Sequence, residues 1–229
     1  MNAARNKTFE WRWLGQVNFA DALKMQEEIV ARKYEQRTAA DELLMLEHEP
    51  VYTIGRTPDQ SSLIDPKKLP HPVFTISRGG QATYHGPGQL MGYPIIDLRR
   101  CGQDLHKYLR WIEDLLVKTL RIFDVGAWTR PGLTGVWTKG GKIASIGVGV
   151  RHWITMHGFA LNVSGDLEPF NHIVPCGIQD VTMTSIEKET GNVFSPEDVS
   201  RRVAEIAYHS ISNLTSEGSL LQIAPVYRF

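Results

Sequence analysis

The stretch 141–163, GKIASIGVGVRHWITMHGFALNV, holds two apolar, β-rich runs and one polar break. Residues 142–150 and 153–163 predict two antiparallel strands joined near Arg151-His152. Side chains two apart share a face of a strand, so Ser145 and Gly147 stand together while His152 and His157 do not. Working upstream, 135–138 adds a further short strand. Before it, Asp104 caps a helix whose apolar stripe is Leu105, Tyr108, Leu109, Ile112, Leu116, Leu120 and Phe123. Residues 90–96 and 73–77 read as strands on either side of a glycine-rich loop, 78–89. Residues 56–72 carry Pro58, Pro66, Pro70 and Pro72 and read as an irregular connection. Residues 43–54 read as one or two strands interrupted at Pro50. Asn18 opens a helix over 18–36, with Ala22, Met25, Ile29 and Val30 at helical spacing. Downstream, Ser195-Pro196-Glu197-Asp198 opens a third helix, with Val199, Val203, Ile206 and Ala207 on its apolar side. Helices toward both ends with strands bunched between them predict an α+β fold, one domain over 1–229 with a mixed β-sheet flanked by helices.

Charge and composition remove several function classes. Lys plus Arg and Asp plus Glu are 25 each, and this neutrality argues against a general nucleic-acid binder. No run approaches the roughly 18 apolar residues that span a bilayer, so no membrane role is expected. The opening MNAARNKTFEWRWLG lacks an apolar core and a cleavage pattern, which leaves the cytoplasm as the expected compartment. Cys101 and Cys176 are too few for a disulfide framework, and a reducing compartment fits them. Gly141-Lys142 is followed by Ile143, so a phosphate loop is absent. Gly147-Val148-Gly149 lacks the third glycine of a dinucleotide fingerprint, and no Gly-x-Ser-x-Gly elbow occurs. The His152/His157 spacing and the alternation of Glu47-His48-Glu49 make poor ligand sets. Neither a metal nor a cofactor is expected.

Three constellations remain. In 78–89 the glycines let backbone amides approach a ligand, and Arg78, Gln81, Thr83, Tyr84 and His85 add polar groups that a plain turn does not need. In 140–147, Lys142 opens a strand that is otherwise small and apolar, either as a snorkelling edge residue or as a functional cation. Pro175-Cys176-Gly177 sets a thiol on an irregular segment, where it is presented rather than packed. A free thiol is only about 3% ionised at pH 7, and a neighbouring ammonium that lowered its pKa would make the thiolate dominant. Lys142 is the candidate neighbour, and Cys101, beside Arg99-Arg100, is the competing thiol.

RGGQATYHGPGQL at 78–90, GKIASIG at 141–147, HGFALNV at 157–163 and PCG at 175–177 closely resemble the lipoyl (octanoyl) transferases, octanoyl-[acyl-carrier-protein]:protein N-octanoyltransferases of lipoate biosynthesis. The four blocks stand in that family's order. The resemblance implies a fold like the biotin and lipoate protein ligase catalytic domain. It implies transfer of an octanoyl group from octanoyl-acyl-carrier protein to a lysine of apo lipoyl domains, those of 2-oxoacid dehydrogenase complexes and the glycine cleavage H protein. Carried over by position, Cys176 would be the acyl-thioester nucleophile and Lys142 would lower its pKa. Arg78, Gly79, Gly80, Gln81, Ala82, Thr83, Tyr84 and His85 would line the acyl site, with Ser145, Ile146, Gly147, Gly158, Phe159 and Ala160.

The chemistry is consistent from below. Exchange of one thioester for another is nearly isoenergetic and requires no nucleotide. The tetrahedral intermediate needs preorganised donors, from the Gly79-Gly80 loop or the Gly141-Lys142 backbone. Aminolysis by the acceptor lysine needs a base, either Lys142 or His85. A narrow slot bounded by Gly147 and Gly158 would suit a straight chain. Both implied protein partners are acidic, so docking on a neutral chain needs a local basic surface, for which Arg56, Arg99, Arg100, Lys139 and Arg151 are candidates. The alternative is an ATP-dependent lipoate or biotin-type protein ligase on the same fold, in which Lys142 would contact an acyl-adenylate and no thiol is needed. The non-enzymatic rival is a silent acyl-carrier binding module.

Overall fold

The computed structural model describes residues 9–215. In chain order its first half runs β1 (Phe9–Val17), α1 (Phe19–Glu35), β2 (Asp41–His48), β3 (Val51–Gly55), β4 (Val73–Ile76), β5 (Thr83–His85) and β6 (Gln89–Ile95). The second half runs α2 (Leu105–Ile122), β7 (Trp128–Arg130), β8 (Leu133–Thr138), β9 (Gly141–Arg151), β10 (Ile154–Asn162), α3 (Ile186–Thr190), α4 (Pro196–Ser210) and α5 (Ser212–Thr215). The segment 141–163 forms the expected pair: β9 and β10 are antiparallel, with Ile154 opposite Arg151 and Ala160 opposite Ser145. His152 and Trp153 turn the hairpin with φ of 54° and 62°, the double left-handed conformation that a two-residue type I′ turn requires.

Seven strands lie in the order β1-β2-β6-β10-β9-β8-β7, and β4-β3-β5 form a smaller sheet. The β1–β2 and β3–β4 pairs are parallel and the rest antiparallel, so both sheets are mixed. Period-two alternation divides the core. Leu44 and Leu46 of β2, with Met91, Tyr93 and Ile95 of β6, pack under Ala22, Ile29 and Val30 of α1. Leu43, Met45, Leu90 and Leu161 face the other way, against the stripes of α2 and α4. The expected caps form: Asn18, Asp104 and Ser195 accept hydrogen bonds from the Asp21, Lys107 and Asp198 amides. No helix among the described residues is long and apolar enough to cross a membrane.

The sequence reading does not include β7, α3 or α5, and the structure refines it at further points. Residues 43–54 are two strands placed in different sheets, split at Glu49-Pro50, because proline has no N–H to continue the ladder. The loop 78–89 contains β5, three residues paired with β3. Phe123 is the C-cap of α2 rather than part of it. The edge strand β1 went unread, although Phe9, Trp11 and Trp13 alternate with Glu10 and Arg12.

Candidate active site

The β9, β10 and β6 strands form the floor of a cavity of about 180 Å³, and the segments around Arg78–Thr83 and Cys176 roof it. That volume is below the usual range for drug-sized ligands and suits something slender. Its wall includes Arg78, Gly80, Gln81, Thr83, His85, Lys142, Ser145, Ile146, Gly147, Gly158, Phe159, Ala160 and Cys176. Gly79, Ala82 and Tyr84 are not on it. Gly79 N donates to Val148 O at 3.0 Å, Ala82 is fully buried, and the Tyr84 ring packs on Tyr52 and Phe170. Wall residues that the sequence reading missed include Phe19, Met91, Tyr93, Thr134 and His157.

Cys176 is presented, as its Pro-Cys-Gly setting suggests. Its amide donates to Ala82 O at 2.8 Å, and the preceding Val174 amide donates to Ser62 O at 2.7 Å. These bonds hold Cys176 at φ 57° and ψ 17°, a left-handed conformation that costs a non-glycine residue about 1 kcal/mol or more. The result is a partly exposed thiol whose Sγ lies 3.4 Å from Ser145 Oγ.

Lys142 is 1% exposed. Its Nζ donates a long hydrogen bond, 3.4 Å, to Thr134 O and lies 5.0 Å from the Trp137 ring centroid. It is therefore not a snorkelling edge residue: the side chain runs inward, while the Lys142 backbone pairs with the 182–184 segment, Thr182 O accepting from its amide at 2.8 Å. Gly135 makes room for it. A Cβ there would lie 2.8 Å from Lys142 Cε and from Ala144 O.

Arg78 folds back over its own loop. Its Nη2 donates to Thr53 O, Thr53 Oγ1 and Gln81 O at 2.9–3.1 Å, and its Nη1 to Gly79 O at 2.9 Å. The space above Gly147 is taken by this side chain, since a Cβ on Gly147 would sit 2.9 Å from Arg78 Cδ. A Cβ on Gly158 would meet Gly92 O and Pro94. Both glycines touch the cavity, but their missing side chains are replaced by protein atoms rather than by an open slot, which corrects the expectation of a slot bounded by these two residues.

His85 is buried and held at both ring nitrogens, Nδ1 by Gln89 Oε1 at 2.8 Å and Nε2 by Thr53 Oγ1 at 3.1 Å. Gln89 Nε2 donates onward to Asn162 Oδ1, and Asn162 Nδ2 to Thr184 O. The chain of bonds fixes the Nδ1–H tautomer, and burial, with His48 nearby, pushes the His85 pKa down to about 3. A neutral imidazole with both nitrogens engaged positions the wall and is not a proton acceptor for an incoming amine, so His85 is removed as a candidate base. His157 has a pKa lowered to about 4 by burial and by Arg78. Thr83 Oγ1 is buried with no hydrogen-bond partner, on the cavity wall. A buried hydroxyl without a partner costs about 1–3 kcal/mol, and a polar group on a ligand would satisfy it.

Two of the candidate oxyanion donors are already used, because the Gly79 and Lys142 amides both donate to backbone carbonyls. Two of the candidate docking cations are also taken. Arg99 is bidentate to Asp97 at 2.7 Å, and Arg100 pairs with Asp41 at 2.6 Å. Arg56, Lys139 and Arg151 remain exposed, with no ion pair among the described residues.

The fold comes first, and it is the one solved for lipoate and biotin protein ligases. Lipoate-protein ligase A bound with ATP superposes with a TM-score of 0.62 at 16% identity, covering 89% of this chain and 86% of that one. Biotin protein ligase from Aquifex aeolicus gives 0.53 at 13% identity, covering 90% and 70%. Residues 18–207 match the lipoyl protein ligase A/B catalytic domain, and the chain belongs to that family. Relatives named octanoyltransferase are nearer in sequence. That of Geotalea uraniireducens is 52% identical over 190 residues, 83% of this chain and 87% of its own. That of Citrifermentans bemidjiense is 48% identical over 201 residues, 88% of this chain and 96% of its own.

Proposed function

We propose that this chain is an octanoyltransferase of lipoate biosynthesis that works through a thioester on Cys176. It takes the octanoyl group from octanoyl-acyl-carrier protein and delivers it to a lysine of apo lipoyl domains, in 2-oxoacid dehydrogenase complexes and the glycine cleavage H protein. The observation that carries the reading is a strained, partly exposed thiol on the wall of a slender cavity that also holds the Lys142 side chain. Relatives named octanoyltransferase, about half identical over most of the chain, support the acyl group and the reaction class.

The steps balance without a nucleotide. The Cys176 thiolate attacks the carbonyl carbon of the donor thioester, a C–S bond to Cys176 forms, the bond to the carrier sulfur breaks, and that thiol leaves with a proton. The acceptor ε-amine then attacks the new thioester, the amide bond forms, and Cys176 leaves as thiolate. Lys142 supplies positive charge on the same wall and a nitrogen through which the proton passes. Gly80 N–H, which has no acceptor among the described residues, and the Thr83 hydroxyl are the unspent donors for the oxyanion. The exposed Arg56, Lys139 and Arg151 are proposed to meet acidic partners, and two unpaired cysteines suit the cytoplasm.

Intact-mass measurement after mixing with octanoyl-acyl-carrier protein tests the reading. One octanoyl mass on Cys176, lost in Cys176→Ala together with transfer, is the expected result. The shared fold with an ATP-bound ligase supplies the second reading, an ATP-dependent ligase. Transfer that survives in Cys176→Ala and requires ATP would replace the first reading with the second.

A further inference from the structure

We propose that Met91 is the end stop of a molecular ruler that sets acyl-chain length, with Ala160 as its midpoint; this rests on the reading of Cys176 as the acyl carrier. The register carries the argument. Ser145 of β9 stands directly opposite Ala160 of β10, and Ala160 directly opposite Met91 of β6. Residues directly opposite on neighbouring strands point to the same face, and all three line the cavity. The thiol starts the row, since Cys176 Sγ sits 3.4 Å from Ser145 Oγ. From there the floor steps from a hydroxymethyl to a methyl to a full thioether side chain.

The far wall does not yield easily. Tyr93 is 3% exposed and donates its hydroxyl to His48 Nε2 at 2.6 Å. Met91 packs in the core beneath α1, and Phe19, the first residue of α1, lines the same cavity. Two strand spacings of about 4.8 Å put Met91 roughly 10 Å from Ser145. An extended eight-carbon acyl chain has seven C–C bonds, and with bonds of about 1.5 Å at tetrahedral angles it spans about 9 Å. Eight carbons reach the thioether, ten run into it, and six leave part of the row empty.

The test loads the whole protein with an equimolar mixture of hexanoyl-, octanoyl-, decanoyl- and dodecanoyl-acyl-carrier protein and reads the adduct on Cys176 by intact mass. The wild type is expected to carry octanoyl. Met91→Ala is expected to move the ratio toward decanoyl and dodecanoyl by about fifteenfold for two added methylenes, at about fourfold each. Ala160→Val, which narrows the row halfway, is expected to move it toward hexanoyl. The two variants shift in opposite directions, so if one does not fold the other still decides. Wild-type ratios in the folded variants overturn the ruler while leaving octanoyl transfer intact. A wild type that gains no acyl group from any donor overturns the thioester reading and the ruler with it.

Discussion

The two thiols of this chain show how much a residue's surroundings decide. Cys101 is buried, with its Sγ 3.8 Å from Asp97 O, and burial pushes its pKa up to about 11. At neutral pH only about one part in ten thousand of such a thiol is thiolate, the nucleophilic form. Cys176 instead opens onto the cavity beside Ser145. Iodoacetamide at pH 7.5 should therefore label Cys176 in the native protein and Cys101 only after denaturation, as read by peptide mapping. Labelling of both at similar native rates would contradict the burial argument. Cys101→Ser should leave acyl loading nearly unchanged, because no part of Cys101 lines the cavity.

At the scale of elements, the site depends on how closely β8 and β9 approach, and Gly135 sets that distance. Its φ is +138°, and a Cβ there would lie 2.8 Å from a backbone oxygen, Ala144 O, as well as from Lys142 Cε. The backbone contact cannot be relieved by a rotamer change. Gly135→Ala should cost about 1–3 kcal/mol of stability and displace Lys142. The expected kinetic signature is a lower kcat for transfer with the donor KM little changed; wild-type kcat in a folded variant would show that the lysine's placement does not matter. The sequence showed Gly135 only as the first residue of a short strand, because what demands a glycine is a side chain seven positions away across a hairpin. The same limit explains Gly147, legible as a gap on a strand face but not as the seat of the Arg78 side chain, whose loop comes from the other sheet. Features that depend on neighbours in sequence were legible: the caps at Asn18, Asp104 and Ser195, the stripe of α2 and the β9–β10 pair. The motif blocks carried most of the cavity wall. The partition of 43–54 between two sheets, and the use of the Gly79 and Lys142 amides in backbone bonding, were set by tertiary pairing that local pattern does not encode.

For the whole molecule, the cavity lies where the two sheets meet, and that seam is built on neutral histidines. His48 of the large sheet and His85 of the small one have ring centroids 6.1 Å apart, and His157 of β10 lines the same cavity. Burial is the largest cause in each case, and it lowers their pKa values to about 4, 3 and 4. In the unfolded chain a histidine titrates near 6.5. Between about pH 4 and 6.5 the unfolded chain thus binds more protons than the folded one, so stability rises with pH across that window and is fully present above it. Each histidine contributes a slope of about 1.4 kcal/mol per pH unit, or about 4 kcal/mol per unit for three near pH 5. Urea unfolding at pH 8, 7, 6 and 5 should show a nearly unchanged midpoint between 8 and 7 and a steep fall from 6 to 5. Acyl loading should be lost together with the fold over that range rather than along a single ionisation, because the groups that titrate hold the two sheets against each other. A midpoint that stays constant down to pH 5 would mean the seam already admits protons, and with them water, to the cavity.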